Sequence, residues 1–313
     1  MFLILGWEVA KEENKCKAFA LSLTMLGIIL DASGLLNGDI FVRNKEDRVE
    51  DLCTDIDSII ATGRCLRPLA ANMRGKLQYA SNQIFGRQAL STLAALSQHQ
   101  FRSRSPFISV ELREELVRFR VLLCSERPRH LALLGETRPI FVFSDGACEG
   151  EHFQNVTVGS ILMDPADGTK EMFGVKVPEE VVSFWQSDRV GKEQTIGQAE
   201  LLPAVLSRLI WRKKMMHRRI IFCLDNDSAR ACLIKGTSAS STSRILIGAM
   251  ILAEVDFQSW TWYCRVPTAS NPGDYPSRLK LDPCAENLFA KCISPPTAAA
   301  IVSLSTRGIF KDF

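Results

Sequence analysis

The sequence predicts an α/β protein, with a mixed five-stranded sheet flanked by helices in its C-terminal half and a mainly helical region before it. Three observations carry that reading. Residues 139–177 hold three strand-like apolar runs on short connections, two of them joined by Asp164-Pro-Ala-Asp-Gly168, a hairpin turn. From there on, helical and strand patterns alternate, as a sheet covered by helices requires. Upstream, residues 47–124 carry apolar positions at helical spacing.

Composition bounds the answer. With 313 residues, 46% hydrophobic and 23% charged, the chain can build one large or two modest cores, and two domains are expected. A formal net charge of +3 is too small by itself to mark a nucleic-acid binder. The ten cysteines show no Cys-x-x-Cys pair and no zinc spacing, and read as reduced core thiols. The apolar start, residues 1–7, lacks a basic flank and meets charge at Glu8, so neither a signal peptide nor a membrane span is expected. The expected location is intracellular, cytoplasmic or nuclear, without a membrane partner.

Taken in order, residues 3–7 read as a strand, and residues 18–30 as a second strand or, by periodicity alone, a buried helix. Val49, Leu52, Cys53, Ile56, Ile59 and Ile60 define a helix over 47–61 that Gly63 stops. Between 63 and 110 there is no acid at all, while Arg64, Arg67, Arg74, Lys76, Arg87, Arg102 and Arg104 supply seven positive charges over two expected helices. Gln78 and its neighbouring amides interleave with them. Such a run suits a phosphate-tracking surface, and the plainer alternative is a solvated face. A further amphipathic helix is expected over 110–124 and a linker over 125–136, where Pro128 and Gly135 fall.

The predicted sheet then runs through strands at 139–144, 156–163, 171–177, 219–224 and 259–266. Helices are expected at 178–185, 196–216, 228–234, 243–254 and 272–279. Trp185, Trp260 and Trp262 read as core. Residues 211–219 hold five positive charges, either an electrostatic funnel or a basic helix C-terminus. After Pro283 periodicity is weak, and residues 283–313 read as an extension.

Four acids stand out within this pattern. Asp145 follows an apolar strand and precedes Gly146, where a turn is expected. Glu200 lies early in a long helix on its sheet-facing side. Asp225 follows another strand, and Asp274 opens the last helix. If the first and fourth strands of the sheet are neighbours, the four carboxylates meet at one edge, where they would repel one another unless a cation sits among them. Oxygen-rich sites of this kind suit Mg²⁺ or Mn²⁺, and two such ions clamp the attacking and leaving oxygens of a phosphodiester displacement. Asp227 reads as a helix cap. Glu149 and Glu151 read as solvated loop acids.

The wording around these acids, Ser-Asp-Gly-Ala at 144–147, Gln-Ala-Glu-Leu at 198–201, Asp-Asn-Asp-Ser-Ala at 225–229 and Asn-Pro-Gly-Asp-Tyr-Pro-Ser-Arg at 271–278, resembles the ribonuclease H domain of retroelement reverse transcriptases. The resemblance covers about 137–282, roughly half the chain. It implies a ribonuclease H-like fold and two Mg²⁺ ions, with Mn²⁺ a substitute. Asp145 would bridge both ions, Glu200 and Asp225 would complete one site, and Asp274 the other. The implied activity is hydrolysis of the RNA strand of an RNA–DNA hybrid. Arg74, Lys76, Gln78, Arg87, Asn226 and Ser228 would touch that hybrid. A non-catalytic hybrid-binding module is the alternative.

Residues 1–31 resemble, more loosely, the strands flanking a polymerase primer grip, at 5–7 and 26–31. Residues 32–124 resemble its thumb and connection, through 69–87. No Asp-Asp dipeptide occurs, so the paired polymerase aspartates are missing and polymerisation is not expected. The chain then reads as the C-terminal part of a polyprotein whose polymerase portion is a potential partner. No histidine falls between Asp225 and Asp274, which implies slow product release.

Overall fold

The computed structural model of the chain describes residues 20–81, 89–124, 128–133, 138–150, 155–188 and 195–308. Strands β1 (Ser22–Met25) and β2 (Ile28–Asp31) form an antiparallel hairpin. Its turn, Leu26-Gly27, has positive φ at both residues, 51° and 75°, as tight hairpins with right-handed strand twist require. The apolar run over 18–30 is therefore neither one strand nor a helix, because Gly27 reverses it. The strand expected at 3–7 lies outside the described residues.

β3 (Asp39–Asn44) pairs with β2, and β4 (Arg129–Ala132) returns to pair with β3, closing a four-stranded antiparallel sheet. The stretch read as a linker thus contributes a strand. Between β3 and β4 run α1 (Glu46–Thr62), α2 (Arg67–Ser81), α3 (Leu90–Arg102) and α4 (Val110–Cys124). The i, i+4 pairs Leu52/Ile56, Met73/Leu77 and Leu112/Leu116, with Phe119, bury one stripe of each helix in a common core. Gly63, at φ 63°, ends α1 as expected.

The C-terminal half is a mixed sheet with helices packed against it. β5 (Ile140–Glu149), β6 (Asn155–Asp164) and β7 (Thr169–Lys176) form the antiparallel meander. Next come α5 (Glu179–Ser187), α6 (Ile196–Ile210), the short α7 (Arg212–Met215) and β8 (Arg219–Leu224). α8 (Asp227–Lys235), α9 (Ser241–Phe257), β9 (Trp260–Arg265) and α10 (Asp274–Ser277) complete the expected elements. β8 runs parallel to β5 and to β9, so the first and fourth strands of this sheet are neighbours. α6 is buried nearly all round and packs on β5, β6 and α9, which makes it the central helix.

Residues 283–308 are not an appendage. α11 (Leu281–Leu288), β10 (Lys291–Cys292) and α12 (Ala298–Arg307) belong to the fold, and β10 adds a sixth, parallel edge strand beside β7. Only a few side chains anchor them, which is why the pattern looked weak. Ile301 and Leu304 enter the main core from α12, while Cys284 and Ala290 pack beside Ile161 and Met172.

Two further expectations change. Trp185 is fully buried, but Trp260 and Trp262 are 37% and 73% exposed, because β9 is an edge strand. β5 does not end at Asp145 either. Its pairing with β6 continues to Glu149, whereas its pairing with β8 stops at Phe143. The sheet splits there, and Asp145 stands at the mouth of the split, the crevice where α/β sheets place ligands.

Candidate metal centre

Asp145 is positioned by a row of glycines. Across the sheet its partner is Gly159, whose own partner is Gly174. A Cβ at 159 would lie 2.3 Å from the Pro276 carbonyl carbon and the Ser277 nitrogen, and one at 174 would lie 2.4 Å from the Pro276 oxygen. The backbone of α10 therefore rests directly on the sheet, an approach that only residues without side chains permit. Ser277 arrives with it and donates a 2.6 Å hydrogen bond to Asp145 Oδ2. Asn271 pins the preceding turn, with Nδ2 donating to the Ser144 carbonyl at 3.1 Å and Oδ1 accepting from the Gly273 amide at 3.1 Å. Sequence reasoning missed Ser277 and both glycines; glycine inside two adjacent strands was the available signal.

Glu200 is delivered by a second close approach. A Cβ at Gly146 would stand 2.3 Å from the Ala199 carbonyl oxygen and 2.9 Å from the Glu200 nitrogen. Gly146 is thus a contact point within the strand, not a turn. Pro203 lies inside α6 and has no N–H to give Ala199, four residues earlier, so the helix presents that carbonyl towards β5. Gly146→Ala is expected to push the start of α6 away. The cost should be about 1–3 kcal/mol in urea unfolding, with roughly tenfold weaker Mn²⁺ binding by titration.

Asp225 follows β8 directly. Asn226 then caps α8, its Oδ1 accepting from the Ala229 amide at 3.0 Å. The cap is Asn226 and not Asp227, which lies in the first turn and pairs with Arg230 at 2.9 Å and Arg265 at 3.5 Å. That leaves the Asn226 oxygen engaged within the protein, while Ser228 is exposed.

Asp145, Glu200 and Asp225 each offer an oxygen, and these oxygens lie within 4.8 Å of one another. Glu200 Oε2 and Asp225 Oδ1 are buried with no hydrogen-bond partner among the described residues. Burial, then the neighbouring Asp145 and Asp225 charges, pushes the Glu200 carboxyl up to about 9. Burial also raises Asp145 to about 6, against the opposing Ser277 hydrogen bond and with the Asp225 and Asp274 charges adding to the rise. Hard oxygen donors, orphaned carboxylate atoms and mutual repulsion all fit a divalent cation.

The sign of the pH dependence follows. Both carboxyls have folded values above their ordinary 3.8 and 4.5. Their contribution to stability is full below about pH 4 and is lost as pH rises through about 6 and then about 9. In EDTA, Tm should therefore fall from pH 5 to 9. Millimolar Mn²⁺ should restore it, by a margin that widens with pH, in paired thermal melts.

Asp274 does not join the group. It is about two-fifths exposed and held by Arg278, whose Nε lies 2.8 Å from Oδ1 and whose Nη1 reaches Glu149 at 2.9 Å. Glu149 is thus an ion-pair partner at the rim, and Glu151 lies outside the described residues. The basic stretch is also less one-signed than its sequence. Lys76 pairs with Asp55 of α1 at 2.7 Å, and Arg74 lies against Phe101 and 3.3 Å from the Ser97 hydroxyl. Gln78 is exposed, and Arg87 lies outside the described residues. In the 211–219 run, Lys214 pairs with Glu171 and Arg218 with Asp164.

No protein-family model and no curated protein matches the chain. Among solved structures, the chain is similar to RNase H1 from the halophilic archaeon Halobacterium salinarum NRC-1, with TM-score 0.33 and 17% identity over 46% of this chain and 98% of the other. It is also similar to the N-terminal RNase H domain of Rv2228c from Mycobacterium tuberculosis, with TM-score 0.31 and 14% identity over 48% and 97%. No helix among the described residues is long and apolar enough to cross a membrane.

Proposed function

We propose that the chain is a Mg²⁺-dependent endonuclease that cleaves the RNA strand of RNA–DNA hybrids. The observation that carries this reading is the convergence of Asp145, Glu200 and Asp225 at the split between two parallel strands, with two of their oxygens lacking a hydrogen-bond partner among the described residues. Two ions bound there would supply an activated water and neutralise the charge that builds on the scissile phosphate. The chain's own residues fix the cradle. Asp145 would be shared by both ions, Ser277 sets its orientation, and Glu200 and Asp225 close one side. Asp274 would complete the other side by exchanging Arg278 for a cation. The retroelement setting, with a polymerase portion as partner, belongs to the same reading and rests on the wording around the four acids. Gln78, Arg87 and Ser228 are proposed to meet the hybrid backbone.

The test is incubation of the purified chain with end-labelled hybrid, duplex DNA and duplex RNA, with Mg²⁺ or EDTA. Cleavage confined to the RNA strand of the hybrid and lost in EDTA is expected. Retarded but uncut hybrid at millimolar Mn²⁺ would instead assign the chain as a binding module.

A further inference from the structure

A second constellation lies where the four-stranded sheet meets the six-stranded one. His130, on β4, and His217, in the turn before β8, bring their Nδ1 atoms to 3.3 Å, with ring planes at 86°. On the opposite side of the His130 ring, Nε2 is 2.6 Å from Asp39 Oδ1, and Phe41 stacks on its face at 4.8 Å. The carboxylate draws the His130 proton to Nε2 and leaves the Nδ1 lone pair turned towards His217.

The arrangement is built rather than incidental. The His130 amide donates to Gln258 Oε1 at 3.0 Å, Gln258 Nε2 donates to the Pro128 carbonyl at 3.1 Å, and the His217 amide donates to the Phe257 carbonyl at 3.0 Å. Both imidazoles thus hang from consecutive residues at the end of α9. His217 and Gln258 are both held in the left-handed region, at φ 57° and 46°, a conformation costly for residues with side chains.

We propose that His130 and His217 form a binding site for a divalent transition metal, with Zn²⁺ the natural occupant, oriented through Asp39 and linking the two sheets. Two Zn–N bonds of about 2.0–2.1 Å at a tetrahedral angle place their nitrogens about 3.3–3.4 Å apart, the separation seen here. Paired imidazoles select Zn²⁺, Ni²⁺ or Cu²⁺ over Mg²⁺, which separates this site from the carboxylate triad by ligand type. The carboxylate on the far nitrogen of a ligating histidine is the arrangement that fixes tautomer and raises basicity. Among the described residues no third imidazole, thiol or carboxylate joins the pair; water would fill the positions on the metal that the protein leaves open. His217 is exposed, which gives the metal a way in.

The test is calorimetric titration of Zn²⁺ into the full chain carrying Asp145→Asn, which weakens the triad as a competing site. One Zn²⁺ is expected at this locus. His130→Gln and His217→Gln, each added singly, should weaken it at least tenfold, and Asp39→Asn by about ten- to a hundredfold. Both histidine variants should keep a cooperative metal-free melting transition, lowered modestly in His130→Gln by loss of the Asp39 contact, and, in the Asp145 background, the parent's Mg²⁺-dependent hybrid cleavage. Zn²⁺ uptake unchanged in both histidine variants, or no uptake in the Asp145→Asn chain, would overturn the proposal and leave a plain imidazole hydrogen bond.

Discussion

Asp145→Asn is expected to lower Mg²⁺-dependent cleavage of an RNA–DNA hybrid by about a hundred- to a thousandfold while leaving hybrid binding within about twofold. Asn keeps the volume and can still accept from Ser277, but it brings no charge to the triad. The same substitution should leave the metal-free protein as stable as the parent or slightly more so at pH 8. There the buried Asp145 is ionised beside Asp225 at a cost, since its pKa is raised to about 6. Loss of cleavage with unchanged or raised Tm separates a catalytic defect from a folding one. Cleavage that survives in Asp145→Asn would exclude this triad as the nuclease centre.

Glu254→Ala is expected to cost about 3–5 kcal/mol of stability, a large share of the 5–15 kcal/mol typical of a folded domain. Arg208, on α6, is fully buried, and its Nη2 lies 3.5 Å from Glu254 Oε1 on α9. Tyr263 donates to the same oxygen at 2.7 Å, and Ser259 Oγ contacts Arg208 Nη1. Removing the carboxylate leaves a guanidinium charge in the core without its counter-charge. Replacing both partners with apolar residues, Arg208→Met with Glu254→Leu, should recover most of the loss, because the desolvation cost of each ion goes with it. Urea unfolding of the two variants beside the parent measures both effects.

Neither member of that pair stood out in the sequence. Arg208 occupies the last turn of α6, where a basic residue is ordinarily solvated. Its burial comes from α9 lying across α6, a contact between segments some fifty residues apart. The same limit applied at the basic stretch. Residues 63–110 contain no acid, yet Asp55 on α1 neutralises Lys76, because helices that pack share a surface that the chain order does not show.

Local pattern served the strands and helices well. β8 and α4 fall on the boundaries the sequence predicts, and Gly63 ends α1, because strand alternation, helical spacing and left-handed caps are properties of neighbouring residues. It served less well for residues 283–308, where a few anchors settle the matter, and for Trp260 and Trp262, whose exposure depends on β9 being an edge.

For the candidate site, the sequence by itself determined which carboxylates follow strands and which lies on a sheet-facing helix, since side-chain direction is set by local geometry. Tertiary structure decided that three meet and the fourth pairs with Arg278. The reason is steric. Gly146 lets α6 approach β5 and the Gly159–Gly174 row lets α10 lie on β6 and β7, so those backbone contacts set where Glu200 and Asp274 stand relative to Asp145, while the parallel pairing of β8 with β5 places Asp225.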